Sequence, residues 1–215
     1  SETTGYLCHI FLKEAATEHN LLYHDELNTN IHPEEVFKNG RPFHATIFAK
    51  DQAGLKELFK AVSQSNIEYY YRVPRILRSM LSSRRDSFLL GSGCAEGEVF
   101  EAMMQKGYNE AKEKAKFYDY IEIMPKAIYR PLIKKELIRN EHHLEEIIQN
   151  LVRLGEELGK PVVATGNVHY LNPEDKIYRE ILLTSLNNGV PQEYPDAHLR
   201  TTDEMLKEFA FLGEK

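Results

Sequence analysis

Apolar and polar positions fall into blocks along the chain, and the blocks predict an order of elements. Tyr6–Asn20, YLCHIFLKEAATEHN, places Leu7, Ile10 and Phe11 on one face and predicts a helix, though one without a start signal. Residues 27–41, LNTNIHPEEVFKNGR, are rich in Asn with Pro and Gly, and predict a linker. A rhythm then sets in. Phe43–Lys50 predicts a strand, Gln52–Ser65 an amphipathic helix, and Ser87–Gly93 a strand with a Gly-rich exit. Glu96–Gly107 predicts a helix closed by Gly, and Asp119–Met124 a further strand. Glu141–Gly159 is the clearest helix, with Leu144, Ile147, Ile148, Leu151 and Leu154 on one stripe. The apolar run Pro161–Ala164 predicts a buried strand. The helix after it is opened by Asn172 as N-cap and Pro173 at the first helical position.

Strand–helix alternation of this kind predicts an α/β fold with a parallel sheet and helices outside it. Polar residues at the carboxyl ends of such strands are where sites are built. The 215 residues suffice for one sizeable domain, and 42% hydrophobic with 28% charged residues is ordinary for a globular chain. A net charge of -6 excludes a domain-wide basic field for nucleic acid, although Arg72, Arg75, Arg78, Arg84 and Arg85 cluster locally. Cys8 and Cys94 lie far apart, which suggests no disulfide framework and fits a reducing cytoplasm. No apolar stretch approaches the ~18 residues of a membrane span, and no signal peptide is expected.

Chemistry is concentrated at three strand ends. In TGNVHY, Asn167 and His169 share a side if the chain stays extended. A His beside an oxygen donor suits a divalent ion such as zinc or manganese. An Asn turn followed by a His bonded to backbone fits the same pattern. His44 opens a largely apolar strand, as a ligand or as a core His bonded to a carbonyl. Cys94 follows a Gly-Ser-Gly turn and precedes a helix, a place that suits a thiolate ligand or nucleophile, and equally a small buried hydrophobe. His44 sits at a strand start and the others at strand ends, and spacing leaves that tension standing.

Longer phrases carry a resemblance. YHDELN, RPFHATIFAK, YYYRVPRI, GEVFEAMMQK, KPVVATGNVHYLNPEDKIYR and RTTDEML with FAFLG run in order from about Tyr23 to the C-terminus. They resemble the alpha subunit of bacterial DNA polymerase III of the PolC type. The resemblance implies a partial PHP-type distorted (βα)7 barrel, the later part of a polymerase-and-histidinol-phosphatase domain, with an N-terminal helix left from an inserted exonuclease domain. It implies three segments: 1–22 from the exonuclease, 23–42 as linker, and 43–215 from the PHP domain.

The resemblance also implies a metal centre holding zinc or manganese, to which His44, Cys94, Asn167 and His169 contribute. Asn167 stands where many relatives carry Asp, and a neutral amide is the weaker ligand. No His-x-His occurs in the chain, so the family's early metal motif is missing. The carboxylates of the exonuclease and of the magnesium-dependent polymerase are missing too. The implied function is a scaffold segment of a DNA-directed DNA polymerase in replication, cytoplasmic and without catalysis of its own. Its partners would be the rest of the subunit, DNA through the parent enzyme, and replisome proteins, with no membrane. A truncated barrel with open edges is expected to self-associate. Two other readings stand beside it: a metal-dependent PHP-type phosphoesterase, and a module docking through the five arginines.

Overall fold

The structure, a computed structural model, describes residues 10–13, 42–186, 189–190 and 193–213. The chain divides into two units, Ser1–Glu98 with Phe117–Asp119, and Val99–Lys116 with Tyr120–Lys215. Among the described residues no helix is long and apolar enough to cross a membrane.

The first unit contains β1 (Ile10–Lys13), β2 (Phe43–Ala49), α1 (Gln52–Ile67), β3 (Tyr70–Tyr71), β4 (Val73–Leu77), α2 (Arg78–Ser82) and β5 (Phe88–Gly91). The strands form one sheet in the order β3-β4-β1-β2-β5. Only β1 and β4 run parallel; β1–β2, β2–β5 and β3–β4 are antiparallel. The expected parallel sheet is therefore not what this unit builds. The segment between α1 and β5, which showed no element pattern, supplies a β3–β4 hairpin with Arg72 at its tip in the left-handed region (φ 62). That added reversal returns the chain to β2 in the opposite sense.

A second correction concerns the helix expected over Tyr6–Asn20. Ile10–Lys13 is a strand, held between β2 and β4. A short apolar run has no period of its own strong enough to choose, and pairing on both sides decides for strand. The rest of that span lies outside the described residues. α1 behaves as its pattern predicts: Asp51 caps it by accepting from the Gly54 amide at 2.7 Å, and Leu58 and Ala61 are buried. Ala45, Ile47, Ile76, Leu81, Phe88 and Leu90 also belong to this unit's core.

The second unit takes up the chain at Val99, within α3 (Glu98–Gln105). It continues through α4 (Tyr108–Ala115), β6 (Ile121–Ile123), α5 (Lys126–Lys134), α6 (Glu141–Leu158), β7 (Val162–Ala164), α7 (Lys176–Leu186) and α8 (Thr202–Glu208). β6 and β7 pair in parallel, Ile121 with Val162 and Ile123 with Ala164, so here the expected crossover through a helix is found. α6 is capped by Asn140, which accepts from the His143 amide at 2.9 Å, and ends at Gly159 in the left-handed region (φ 62). The whole predicted stripe, Leu144, Ile147, Ile148, Leu151 and Leu154, is buried. Each such side chain contributes about 1.5–3 kcal/mol of burial. Gly155 lets β7 approach: a Cβ there would lie 2.2 Å from Val162 Cγ2. β7 itself is not the core strand its sequence predicts, because Val163 and Ala164 are exposed. Among the described residues its one neighbouring strand is β6, and an apolar run alone does not report how many sides of a strand are covered. No closed barrel forms among the described residues, only a five-stranded mixed sheet and a two-stranded parallel one.

Candidate metal centre

His44 and Cys94 meet within the first unit. Because β2 and β5 are antiparallel (Thr46 opposite Gly91, Ala49 opposite Phe88), the start of one strand lies beside the exit of the other. That arrangement removes the tension between a strand-start His and a strand-end Cys. The turn after β5 then folds onto His44: the His44 amide donates to the Glu96 carbonyl at 3.1 Å, and His44 bridges to Gly97. Two glycines make the approach possible. Gly93 has φ +77, and a Cβ on it would lie 2.6 Å from the His44 carbonyl oxygen; a Cβ on Gly97 would lie 2.2 Å from that of Ser92.

In this turn His44 Nδ1 lies 3.2 Å from Cys94 Sγ, and His44 Nε2 lies 3.1 Å from Glu96 Oε2. The Glu96 amide faces the sulfur at 3.5 Å. An imidazole nitrogen beside a thiol is a donor pair that suits a borderline-soft ion such as zinc. Zinc bonds of about 2.0–2.1 Å to nitrogen and 2.3 Å to sulfur need only a small parting of the two atoms. The pair therefore fits a divalent ion as part of a site. Among the described residues no group of three or more His, Cys, Asp and Glu forms a complete one.

Beneath the turn, Glu98 is buried at 2% exposure. It is paired with Arg78 and accepts from the Tyr118 hydroxyl at 2.8 Å. The Arg78 guanidinium lies 4.2 Å from the Phe117 ring centre. Arg85 donates to Asp119 Oδ1 at 2.5 Å, and Asp119 Oδ2 takes the Leu90 amide at 2.6 Å. Burial pushes the Asp119 carboxyl up, but the hydrogen bonds from Arg85 and Leu90 outweigh it and hold the group below its ordinary value. Arg84 pairs with Glu57 at 3.0 Å, and Arg75 is buried. Four of the five clustered arginines thus have internal partners or are buried, so the cluster is not the free basic patch its sequence suggests. Charge spacing along a chain does not reveal which carboxylates fold against it.

Asn167 and His169 lie in the second unit, past the end of β7. The extended chain assumed for them does not hold: Asn167 has φ 44, in the left-handed region that Asn tolerates. Thr165 carries the strand's last pairing, its amide donating to the Ile123 carbonyl at 2.9 Å and its hydroxyl to the buried Glu122 at 3.1 Å. His169 is exposed, and its amide donates to the Ala197 carbonyl at 2.8 Å. Tyr170 bridges to His198, and its hydroxyl takes the Ala197 amide at 2.9 Å. The C-terminal residues 195–200 thus strap the tip, and Lys176 anchors them through Asp196 at 2.5 Å. Glu96 and this strap are the residues that sequence reasoning missed. The position of Glu96, two after Cys94 in a glycine-bounded turn, is the one signal that points to it.

Comparison with known proteins agrees with the resemblance. The DNA polymerase III PolC-type of Pediococcus pentosaceus is 58% identical over 99% of this chain, that of Listeria monocytogenes 55% over 100%, and that of Bacillus subtilis 54% over 100%. In each case the chain spans about 15% of the relative's length. The PHP domain pattern matches residues 12–129, which carry β2, β5, His44 and Cys94. With more than half of its residues inside that match, the chain belongs to the PHP domain family.

Proposed function

We propose that the chain is a segment of a PolC-type DNA polymerase III alpha subunit, the replicative DNA-directed DNA polymerase, and serves there as a metal-binding PHP scaffold. The observation that carries this is identity of 54–58% along essentially the whole chain to three PolC-type polymerases. Its partners are then the remainder of the subunit, DNA reached through the parent enzyme, and other replisome proteins, in the cytoplasm. Residues 1–22 are proposed as exonuclease-derived and 43–215 as PHP-derived, on the family resemblance.

His44 and Cys94 are proposed as ligands of a divalent ion, supported by their 3.2 Å approach. Asn167 and His169 are proposed for the same ion set on the family pattern alone. A bound ion would supply a cross-link between the start of β2 and the turn after β5. The protein's own part is to present one nitrogen and one sulfur from a turn that glycines keep tight. No template-directed synthesis is expected of the chain itself, whose sequence lacks the family's polymerase aspartates.

Elemental analysis of the purified chain after exposure to zinc or manganese and desalting tests the metal reading. A retained divalent ion that is lost in a His44→Ala, Cys94→Ala double variant is expected; equal retention in both would sink it. Nucleotide incorporation on a primed template tests the scaffold reading, and robust synthesis by the chain would overturn it. Turnover of a generic phosphoester with added manganese would favour the phosphoesterase alternative. The proposed self-association is read by sedimentation over a range of concentrations, where a monomer throughout would refute it.

A further inference from the structure

The two ring nitrogens of His44 face different partners. Nδ1 faces Cys94 Sγ at 3.2 Å, and Nε2 faces the Glu96 carboxylate at 3.1 Å. A carboxylate only accepts hydrogen bonds, so the proton between Glu96 and His44 sits on Nε2. In a neutral imidazole that leaves the Nδ1 lone pair directed at the sulfur. Glu96 is brought to this place by more than its side chain. Its carbonyl takes the His44 amide at 3.1 Å, and its amide faces Cys94 Sγ at 3.5 Å. The same residue therefore touches both halves of the donor pair, and the turn that carries it is fixed by Gly93 and Gly97.

We propose that Glu96 is a positioning residue for the metal centre. It holds His44 as the Nε2–H tautomer, so that Nδ1 and Cys94 Sγ form a ready nitrogen–sulfur pair for a zinc-like cation. This rests on the reading of His44 and Cys94 as ligands. Imidazoles that ligate metals commonly donate their other N–H to a carboxylate in this way. The Glu96 side chain is 68% exposed, and an ion pair so open to water contributes little to folding. Its effect on the metal is thus separable from an effect on stability. A competing geometry puts the cation between Nε2 and Glu96, which would make the carboxylate a ligand and leave the sulfur out.

The test uses the full chain and cobalt(II) as probe, with the thiolate-to-cobalt absorption band reporting whether Cys94 binds. Glu96→Ala is expected to weaken cobalt binding by about 10–100-fold while the band persists. Glu96→Gln, whose amide oxygen still accepts from Nε2–H, is expected to stay within about threefold of the unchanged protein. Nitrogen-15 NMR of the histidine rings in the metal-free chain should show the Nε2–H form in the unchanged protein and in Glu96→Gln, and a mixture in Glu96→Ala. Unchanged affinity and tautomer in Glu96→Ala would overturn the role while leaving the metal reading standing. Glu96→Gln as damaging as Glu96→Ala, with no thiolate band, would overturn it in favour of direct ligation. If the unchanged chain takes up no cobalt, the metal reading falls, and the positioning role falls with it. The ring spectra, recorded without metal, still separate that failure from a missing Glu96 contact.

Discussion

The turn after β5 and the tip after β7 both present residues of the proposed centre, and they are built in different ways. The β5 turn is closed on itself. Its side chains touch, His44 with Cys94 and with Glu96, and its glycines sit against backbone carbonyls. Buried beneath it is the Glu98, Arg78 and Tyr118 cluster. The β7 tip is held by backbone hydrogen bonds to the 195–200 strap, while His169 and Val168 remain exposed. Nitrogen and sulfur already converge in the first, whereas the conformation of the second is set by one left-handed Asn and a strap. Substitutions in the β5 turn should therefore be the costly ones.

The largest effect is expected at Glu98. Glu98→Ala leaves the Arg78 guanidinium, only 17% exposed, without its carboxylate and takes the acceptor from the Tyr118 hydroxyl. Breaking a buried pair on one side costs about 3–5 kcal/mol. Urea unfolding should show it as a lower midpoint with little change in slope, and Glu98→Gln should lose less. A midpoint equal to that of the unchanged chain would mean that the cluster does not support the turn.

The glycines compare the two regions directly. Gly97→Ala forces a Cβ toward the Ser92 carbonyl, where only backbone can give way. Overpacking of that kind costs about 1–3 kcal/mol, and it should loosen metal retention as well. Gly166→Ala at the β7 tip meets only the Val168 side chain, at 2.9 Å. That methyl can rotate, so the change should stay within about 0.5 kcal/mol. Similar costs at the two sites, measured by thermal unfolding of both variants, would erase the distinction between a closed turn and an open tip.

The sequence made some of this legible and hid the rest for physical reasons. α1 announces itself through its amphipathic pattern and α6 through a long apolar stripe, and both form within two residues of their predicted ends. His44 and Cys94 stand out by residue type, but their meeting depends on antiparallel pairing. That pairing depends in turn on the β3–β4 hairpin, in a stretch where arginines interrupt the apolar pattern. Ile10–Lys13 shows the same limit from the other side, since its apolar residues fit either period and the neighbouring strands choose. Burial of the clustered arginines was hidden because their partners, Glu57, Glu98 and Asp119, lie far away in sequence.

A smaller effect separates the regions by pH. Asp119 in the first unit is held below its ordinary value of 3.8, burial opposing but the Arg85 and Leu90 hydrogen bonds prevailing. Asp196 in the strap is lowered first by its hydrogen bond to Lys176, with burial opposing. A depressed carboxyl stabilises the folded state above its unfolded value, and that contribution is lost as pH falls through the folded one. Stability should therefore be level above about pH 5 and decline below about pH 4. Asp119→Asn should flatten the part of this decline that an arginine-paired carboxylate causes. An acid profile identical to that of the unchanged chain would show that the Arg85 pair does not persist in solution.

The smallest effect is expected on α7, which leads away from the β7 tip. Its pattern resembles that of α6, yet none of its residues is buried, and Ile177, Tyr178, Ile181, Leu182 and Leu186 stand exposed. Ile181 is 62% exposed, so Ile181→Ser removes few contacts. A surface change of this kind should move stability by no more than about 0.5 kcal/mol. The 3-10 turn Pro173–Asp175 that leads into α7, where Asp175 Oδ2 accepts from the Asn172 amide at 3.0 Å, stays the same whatever stands at 181. Thermal unfolding of the dilute chain gives the base value. If the substitution instead costs about 2 kcal/mol or more, the apolar face of α7 is covered in solution. If that cost also grows with protein concentration, the cover is a second copy of the chain, because only an intermolecular contact is weakened by dilution. A cost that is large but independent of concentration would mean that the chain covers α7 with its own residues, and the second region would then be as closed as the first.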